Sequence, residues 1–437
     1  MDRHHPNRSS VAMKLLFAVS PLVGHVNPLL AIAGLAAARG DEIIFTTAPS
    51  FQRKVEAAGH RFVACDGIGD ADYRETTLPP GPERYRREFA RRFLDGMPAQ
   101  ATLLREIIER ERPDAIVAGS MFLGVLPLLL SDEKRPPIVI CNVSFFFHDR
   151  PDLAPLGAGL PPAFTDAERA AYAAFGKQAD TGFTAPVRAH ADALLRGMGL
   201  PGLPASLTQS IILLPDTLLQ MTVPAFEYDY GPLPRNVRFA GALPAPAVDA
   251  PLPAWWPELD GPRRVVLVTQ GTLANADFGE LVEPTLRALA GRDDLLVVAT
   301  TGGRPLDAVQ GPHPSNARLS TFLPFRELLP KVSALVTNGG YGTVSQALGF
   351  GVPVVAAGIT EDKAEVGARV AWSGAGVNLA VNRPGEEDLR AAIDRTLDDP
   401  FIRRRAAALA AEFARYDAGR EALAAIDALV ERPALAG

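Results

Sequence analysis

Residues 334–363, ALVTNGGYGTVSQALGFGVPVVAAGITEDK, constrain this chain more than any other stretch. ALVT is apolar and β-branched enough for a buried parallel strand, and Asn338-Gly339-Gly340-Tyr341-Gly342-Thr343 then lets the backbone turn with no Cβ in the way. Residues 344–350 continue as a helix, Gly351 ends it and Pro353 opens the next strand, the punctuation of an αβ unit. Glycines at a helix start leave N–H groups and the positive end of the dipole open to a close anion, so the segment reads as a diphosphate cradle. A tight turn with packing glycines would have the same letters, and the two are separated by the length and order of the helix, strand and charged loop after the turn.

The segment resembles the donor-binding signature of the family 1 nucleotide-sugar glycosyltransferases of GT-B fold, the macrolide, flavonoid and UDP-glucuronosyl transferases. In that signature a His (here Asn338) opens the glycine turn, a Glu (here Gln346) sits on the helix and an Asp/Glu-Gln pair (here Asp362-Lys363) comes after the next strand. Asn, Gln and Lys keep the capacity to hydrogen-bond. The resemblance covers most of the chain. It implies an α/β protein with two Rossmann-like parallel-sheet domains facing each other across a cleft, an acceptor in the first and a nucleotide sugar in the second.

A chain of 437 residues is too long for one ordinary core and predicts two domains of roughly 200 residues each. With a net charge of −6 and no basic patch interleaved with aromatics, it is not expected to bind nucleic acid, and a small-molecule partner is. Cys65 and Cys141 lie far apart in apolar or strand-like stretches and read as buried reduced thiols, which fits a cytoplasmic protein. No run reaches the roughly 18 to 20 apolar residues of a membrane span, and residues 1–12 read as a disordered tail without a signal peptide's apolar core. Oligomeric state is not legible.

Strand 14–20, helix 27–39 and strand 42–47 make a βαβ unit. Helix 50–58, strand 62–64, an Arg-rich helix 82–94, helix 101–110 and strands 115–118 and 138–142 continue it, an alternation that means a parallel sheet covered on both faces. Residues 13–235 are taken as the acceptor domain, the proline-rich stretch 236–263 as the linker and 264–437 as the donor domain. The donor half repeats the pattern with strand 264–269, helix 278–290 and strand 295–299, and closes with helices 389–397 and 401–426. The resemblance implies that the last helix crosses back to the first domain.

After the first strand comes Pro21-Leu22-Val23-Gly24-His25-Val26-Asn27-Pro28, without the G-x-G-x-x-G of a dinucleotide fold. His25 there is either a structural residue at a helix start or, with an ordinary pKa near 6.5, a base for an acceptor hydroxyl. The resemblance favours the base, since the family's catalytic histidine sits in a G-H-x-x-P context. The family orients that histidine with an Asp at a strand end, and the matching position is Gly119. Ser120, Asp149 and Asp152 are the nearby alternatives.

The resemblance further implies that Gly340, Gly342 and Thr343, with Gly271 and Thr272, hold the diphosphate. Asn338 belongs to the same turn, Gln346 would reach the ribose hydroxyls, and Asp362 and Lys363 the sugar hydroxyls. Phe322-Leu323-Pro324-Phe325 resembles the family's W-x-P-Q turn, with Phe322 stacking on the pyrimidine and the Leu323 backbone bonding it. The acceptor candidates are the apolar residues at strand ends and on the Arg-rich helix, namely Phe89, Phe93, Met121, Phe122, Phe145, Phe146 and Phe147, for which plain core packing is the alternative. Asp70-Ala71-Asp72 looks like the metal-binding D-x-D of the other glycosyltransferase fold but falls in the acceptor half, so no metal and no cofactor is expected beyond the nucleotide sugar as co-substrate.

Together these readings predict an inverting, metal-independent hexosyltransferase that moves a sugar from a UDP-sugar such as UDP-glucose to a hydroxyl of a polyphenol, polyketide or similar apolar natural product. Thymidine-diphosphate-deoxysugar transfer, a nucleotide-sugar epimerase, which would need extra carboxylates, and a non-catalytic transferase-like partner are the rivals.

Overall fold

The computed structural model describes residues 12–66, 77–79, 81–150, 152–244, 251–272 and 274–430. Seven strands form the first sheet: β1 (Lys14–Ala18), β2 (Glu42–Thr47), β3 (Arg61–Ala64), β4 (Ala115–Gly119), β5 (Ile138–Asn142), β6 (Thr217–Gln220) and β7 (Val237–Phe239). They lie in the order β3-β2-β1-β4-β5-β6-β7, all parallel. The second sheet has β8 (Arg264–Thr269), β9 (Leu295–Thr300), β10 (Ala317–Ser320), β11 (Val332–Thr337), β12 (Val354–Ala356) and β13 (Gly376–Asn378), in the order β10-β9-β8-β11-β12-β13 and again parallel.

Both sheets are buried on both faces, which explains their continuous apolar runs. Successive β1 residues serve opposite cores: Leu16 and Ala18 pack with Leu94, Leu104 and Phe122, while Leu15 and Phe17 pack with Leu29, Ile32 and Phe45. Each sheet reverses its strand order once, between β1 and β4 in the first and between β8 and β11 in the second. Open α/β sheets place ligands in the crevice at such a reversal, outside the carboxyl ends of the strands. The two positions found there are the turn after β1 beside the end of β4, and the turn after β8 beside the end of β11.

Several boundaries differ from the sequence reading. The helix expected over 27–39 begins at Val23, so Pro28 lies inside it and gives up its bond to the Gly24 carbonyl. The helix expected over 401–426 is two, Pro400–Phe413 and Ala418–Val430, with the Arg420 amide donating to the Asp417 carboxylate at 3.0 Å where the second begins. That last helix buries Ala418, Ala422, Ala425 and Ile426 in the first sheet's core, and Arg39 donates to Asp427 at 3.0 Å. Strands β6, β7, β10 and β13 are three or four residues long, too short to show a period, and β7 comes from the stretch read as the start of the linker. No described helix is long and apolar enough to cross a membrane. The residues of the D-x-D pattern, Asp70 and Asp72, and residues 1–11 of the tail lie outside the described residues.

Candidate active site

The glycine turn read as a cradle lies at the second sheet's reversal. The helix Tyr341–Gly349 has Gly340 as its N-cap, no side-chain cap and no acidic residue in its first turn. Its first N–H groups are therefore left without an intrahelical partner, next to a dipole end worth roughly half a positive charge. A Cβ built on Gly340 or Gly342 would meet no atom within 4 Å, so the backbone there faces open space. The Asn338 amide donates to the Gln270 carbonyl at 2.7 Å and ties this turn to the one after β8.

That second turn is held by a residue the sequence reading missed. Asn275 donates to the carbonyls of Gly271 (3.0 Å) and Thr301 (2.9 Å) and accepts from Arg304 at 3.1 Å. Gly302 and Gly303 after β9 were missed too, although two adjacent glycines after a strand are a readable signal. A Cβ on Gly302 would stand 2.1 Å from the Gly271 carbonyl oxygen, and one on Gly303 2.7 Å from the Phe322 ring. Only glycine lets these turns close up and the ring lie on them. Phe322 keeps half its surface exposed, its carbonyl fixed by the Ser320 hydroxyl at 2.8 Å, while Leu323 is buried in the second domain's core. Thr272 is exposed, and Thr343 and Gln346 are half-buried one turn apart on the cradle helix.

Asp362 and Lys363, adjacent in sequence, part company. Asp362 accepts from the Ser144 hydroxyl of the first domain at 3.1 Å. Burial, with a smaller push from Glu361, raises its carboxyl above the usual range against the opposing pull of Lys363 and Ser144. Lys363 is buried in an ion pair with Glu361 and packs behind Gly339 and Gly358. It lines a small pocket there together with Gln270, Asn338 and Thr360.

On the other side, His25 stands in the first turn of the helix Val23–Ala38. Its Nδ1 is buried and has no hydrogen-bond partner, which leaves Nε2 as the nitrogen able to face the cleft. Burial without a compensating charge lowers its pKa to about 4. Gly119 lies alongside, and neither Ser120, Asp149 nor Asp152 bonds to Nδ1. Asp152 is held by Arg150 at 2.6 and 2.7 Å. Burial raises the Asp149 carboxyl, with His148 beside it as the opposing charge.

The aromatic candidates divide. Phe122 and Phe146 are fully buried in the first domain's core, which corrects their reading as cleft residues: the Phe146 ring packs on those of Tyr230 and Phe239, at 5.0 and 5.9 Å. Phe145 is half-buried and lies under the Arg369 guanidinium at 4.7 Å. Met121 and Phe147 are half-buried. Phe89 and Phe93 are 5.2 Å apart, where the helix Pro82–Phe89 runs into a π-helical turn, Ala90–Leu94. A second π turn, Asp180–Thr184, brings Phe183 to 5.6 Å from Phe89, and Arg86 donates to the Gly182 carbonyl at 2.7 Å. Such turns recur at functional sites, and nothing in the sequence marks Phe183.

A family model, the C-terminal domain of the erythromycin biosynthesis protein CIII-like proteins, matches residues 284–429. The chain is 40% identical over 425 residues to 4'-demethylrebeccamycin synthase of Lentzea aerocolonigenes, covering 95% of this chain and 99% of that one. It is 34% identical to UDP-glycosyltransferase 2 of Phaeomoniella chlamydospora over 94% of each chain. Among solved structures it is similar to the calicheamicin glycosyltransferase CalG4, with a TM-score of 0.72 and 23% identity over 97% of this chain and 99% of that one, a likeness of fold. With two doubly wound sheets, an open cradle at one reversal and a histidine at the other, this chain belongs to the family 1 nucleotide-sugar glycosyltransferases of GT-B fold.

Proposed function

We propose that the protein moves a hexose from a UDP-sugar to a hydroxyl of an apolar small molecule, inverting the anomeric centre in one displacement. The observation that carries this reading is an uncapped, glycine-faced helix end at the strand-order reversal of one sheet and a histidine at the reversal of the other. The acceptor O–H gives its proton to Nε2 of His25 as its oxygen bonds to the anomeric carbon. The bond from that carbon to the diphosphate oxygen breaks on the opposite face, and the departing charge falls on the first-turn N–H groups from Tyr341 to Thr343. Preorganised backbone donors at the leaving group remove the need for an acid or a metal there.

Gln346 favours a ribonucleotide donor, because its side-chain amide makes no hydrogen bond among the described residues and is free for the 2′-hydroxyl. A relative named a UDP-glycosyltransferase supports the same donor. The acceptor hydroxyl is an acidic one, phenolic or enolic, because a buried imidazole with no carboxylate behind it is a weak base. Incubation with UDP-glucose and a panel of phenols, followed by mass spectrometry, tests the reading. A product heavier by one hexose with release of UDP is expected. Transfer only from thymidine diphosphate sugars would overturn the donor assignment, and no transfer from either donor would overturn the function.

A further inference from the structure

The most heavily bonded side chain between the two domains belongs to neither the cradle nor the histidine. Arg369, on the helix Lys363–Trp372 that starts directly after Asp362, is completely buried. All five of its N–H groups are accounted for. Nε donates to Glu227, Nη1 to the Glu365 carbonyl and carboxylate at 3.0 Å each, and Nη2 to the Phe146 carbonyl at 2.6 Å and the Tyr230 hydroxyl at 3.1 Å. Its planar face is covered by Phe145 and Tyr228, at 4.7 and 4.4 Å.

The two carboxylates reach further into the acceptor domain. Glu227 accepts from the Phe146 amide at 3.0 Å and from the Tyr341 hydroxyl at 2.8 Å, so it touches the first residue of the cradle helix. Glu365 accepts from the amides of Gly157 and Gly159 at 2.8 and 3.2 Å. Two buried carboxylates around one guanidinium are expensive to desolvate, and a packed apolar set would hold two domains together as well. What the charged set adds is a fixed register, since a guanidinium fork bonds in one geometry only. The register it fixes places residue 144, two before Phe146, against residue 362: the Ser144 hydroxyl donates to the Asp362 carboxylate.

We propose that Arg369 and Ser144 are positioning residues for the donor sugar: Arg369 pins the loop after β5 to the helix behind Asp362, and Ser144 then aims the Asp362 carboxylate. The proposal rests on the reading of Asp362 as the sugar contact. A carboxylate held by a donor hydrogen bond stays ionised to lower pH than one buried alone, and the other charges facing Asp362, Lys363 and Glu361, oppose each other.

The test is calorimetric binding of UDP-glucose and of UDP to the full chain as a function of pH. Ser144→Ala should weaken UDP-glucose about fivefold or more, leave UDP unchanged, and move the pH at which UDP-glucose affinity is lost upward; Ser144→Thr should restore both. Arg369→Met, where it folds, should weaken UDP-glucose in the same way. Asp362→Asn separates the two readings. If it loses UDP-glucose affinity while Ser144→Ala matches the wild type in affinity and pH dependence, the positioning role is wrong. If Asp362→Asn binds UDP-glucose like the wild type, the sugar contact falls and the proposal with it.

Discussion

Gly119 lies beside His25 with nothing between them: a Cβ built on Gly119 would stand 4.0 Å from Nδ1 of the imidazole and 3.7 Å from Val19, ordinary contact distances. Nδ1 is buried without a partner, so a carboxylate one carbon further out would find a donor waiting. Gly119→Asp is therefore expected to fold and to raise the pKa of His25. Because the base must be unprotonated, the acid limb of kcat/KM with a phenol acceptor, near pH 4 in the wild type, should move to higher pH, and transfer to aliphatic alcohols should increase. A pH-rate profile with both acceptors measures this.

The same lowered pKa makes a stability prediction. A histidine that ionises near 6.5 when unfolded and near 4 when folded makes the unfolded chain bind the extra proton between those values, so stability falls as pH drops below 6.5. The slope from His25 is at most about 1.4 kcal/mol per pH unit and ends near pH 4. Urea unfolding midpoints at pH 7 and pH 5 should differ less in His25→Gln than in the wild type.

Gly342→Val should leave the fold intact, because a Cβ there meets no atom within 4 Å and valine is no worse than glycine in a helix. Those carbons would occupy the space in front of the cradle amides, so UDP binding by calorimetry should be lost. Unchanged affinity would contradict the cradle.

Gln346→Ala should narrow the preference for UDP over thymidine diphosphate sugars by roughly two- to tenfold, the worth of one hydrogen bond of about 0.5–1.5 kcal/mol. Competition assays with the two donors check it. A wild type that already prefers the thymidine donor would contradict the role given to Gln346.

The strand, glycine turn and helix of residues 332–349 were legible because glycines after a β-branched strand mark a tight turn, and the place of His25 because it comes after a strand, at the point where the sheet reverses. Phe146 and Phe147 show why the acceptor side was not. They are neighbours in one aromatic run, yet the first is core and the second half-buried, a difference set by ring partners far along the chain, Tyr230 and Phe239, that Phe146 meets. The ion pair of Lys363 with Glu361 and its packing against Gly339 and Gly358 were not legible either, since the glycines lie elsewhere in the chain. Asn275 and Arg369 left no sequence signal, since their roles are bonds to segments far along the chain.

Whether His25 takes the acceptor's proton is decided most directly by the rate of hexose transfer from UDP-glucose to a phenol and to a matched aliphatic alcohol, for the wild type and for His25→Ala. The wild type should favour the phenol, and His25→Ala should lose nearly all transfer to weakly acidic acceptors, by about 100-fold or more, while transfer to acceptors already ionised falls less. Equal turnover of both acceptors by His25→Ala and the wild type would show that His25 is not the base.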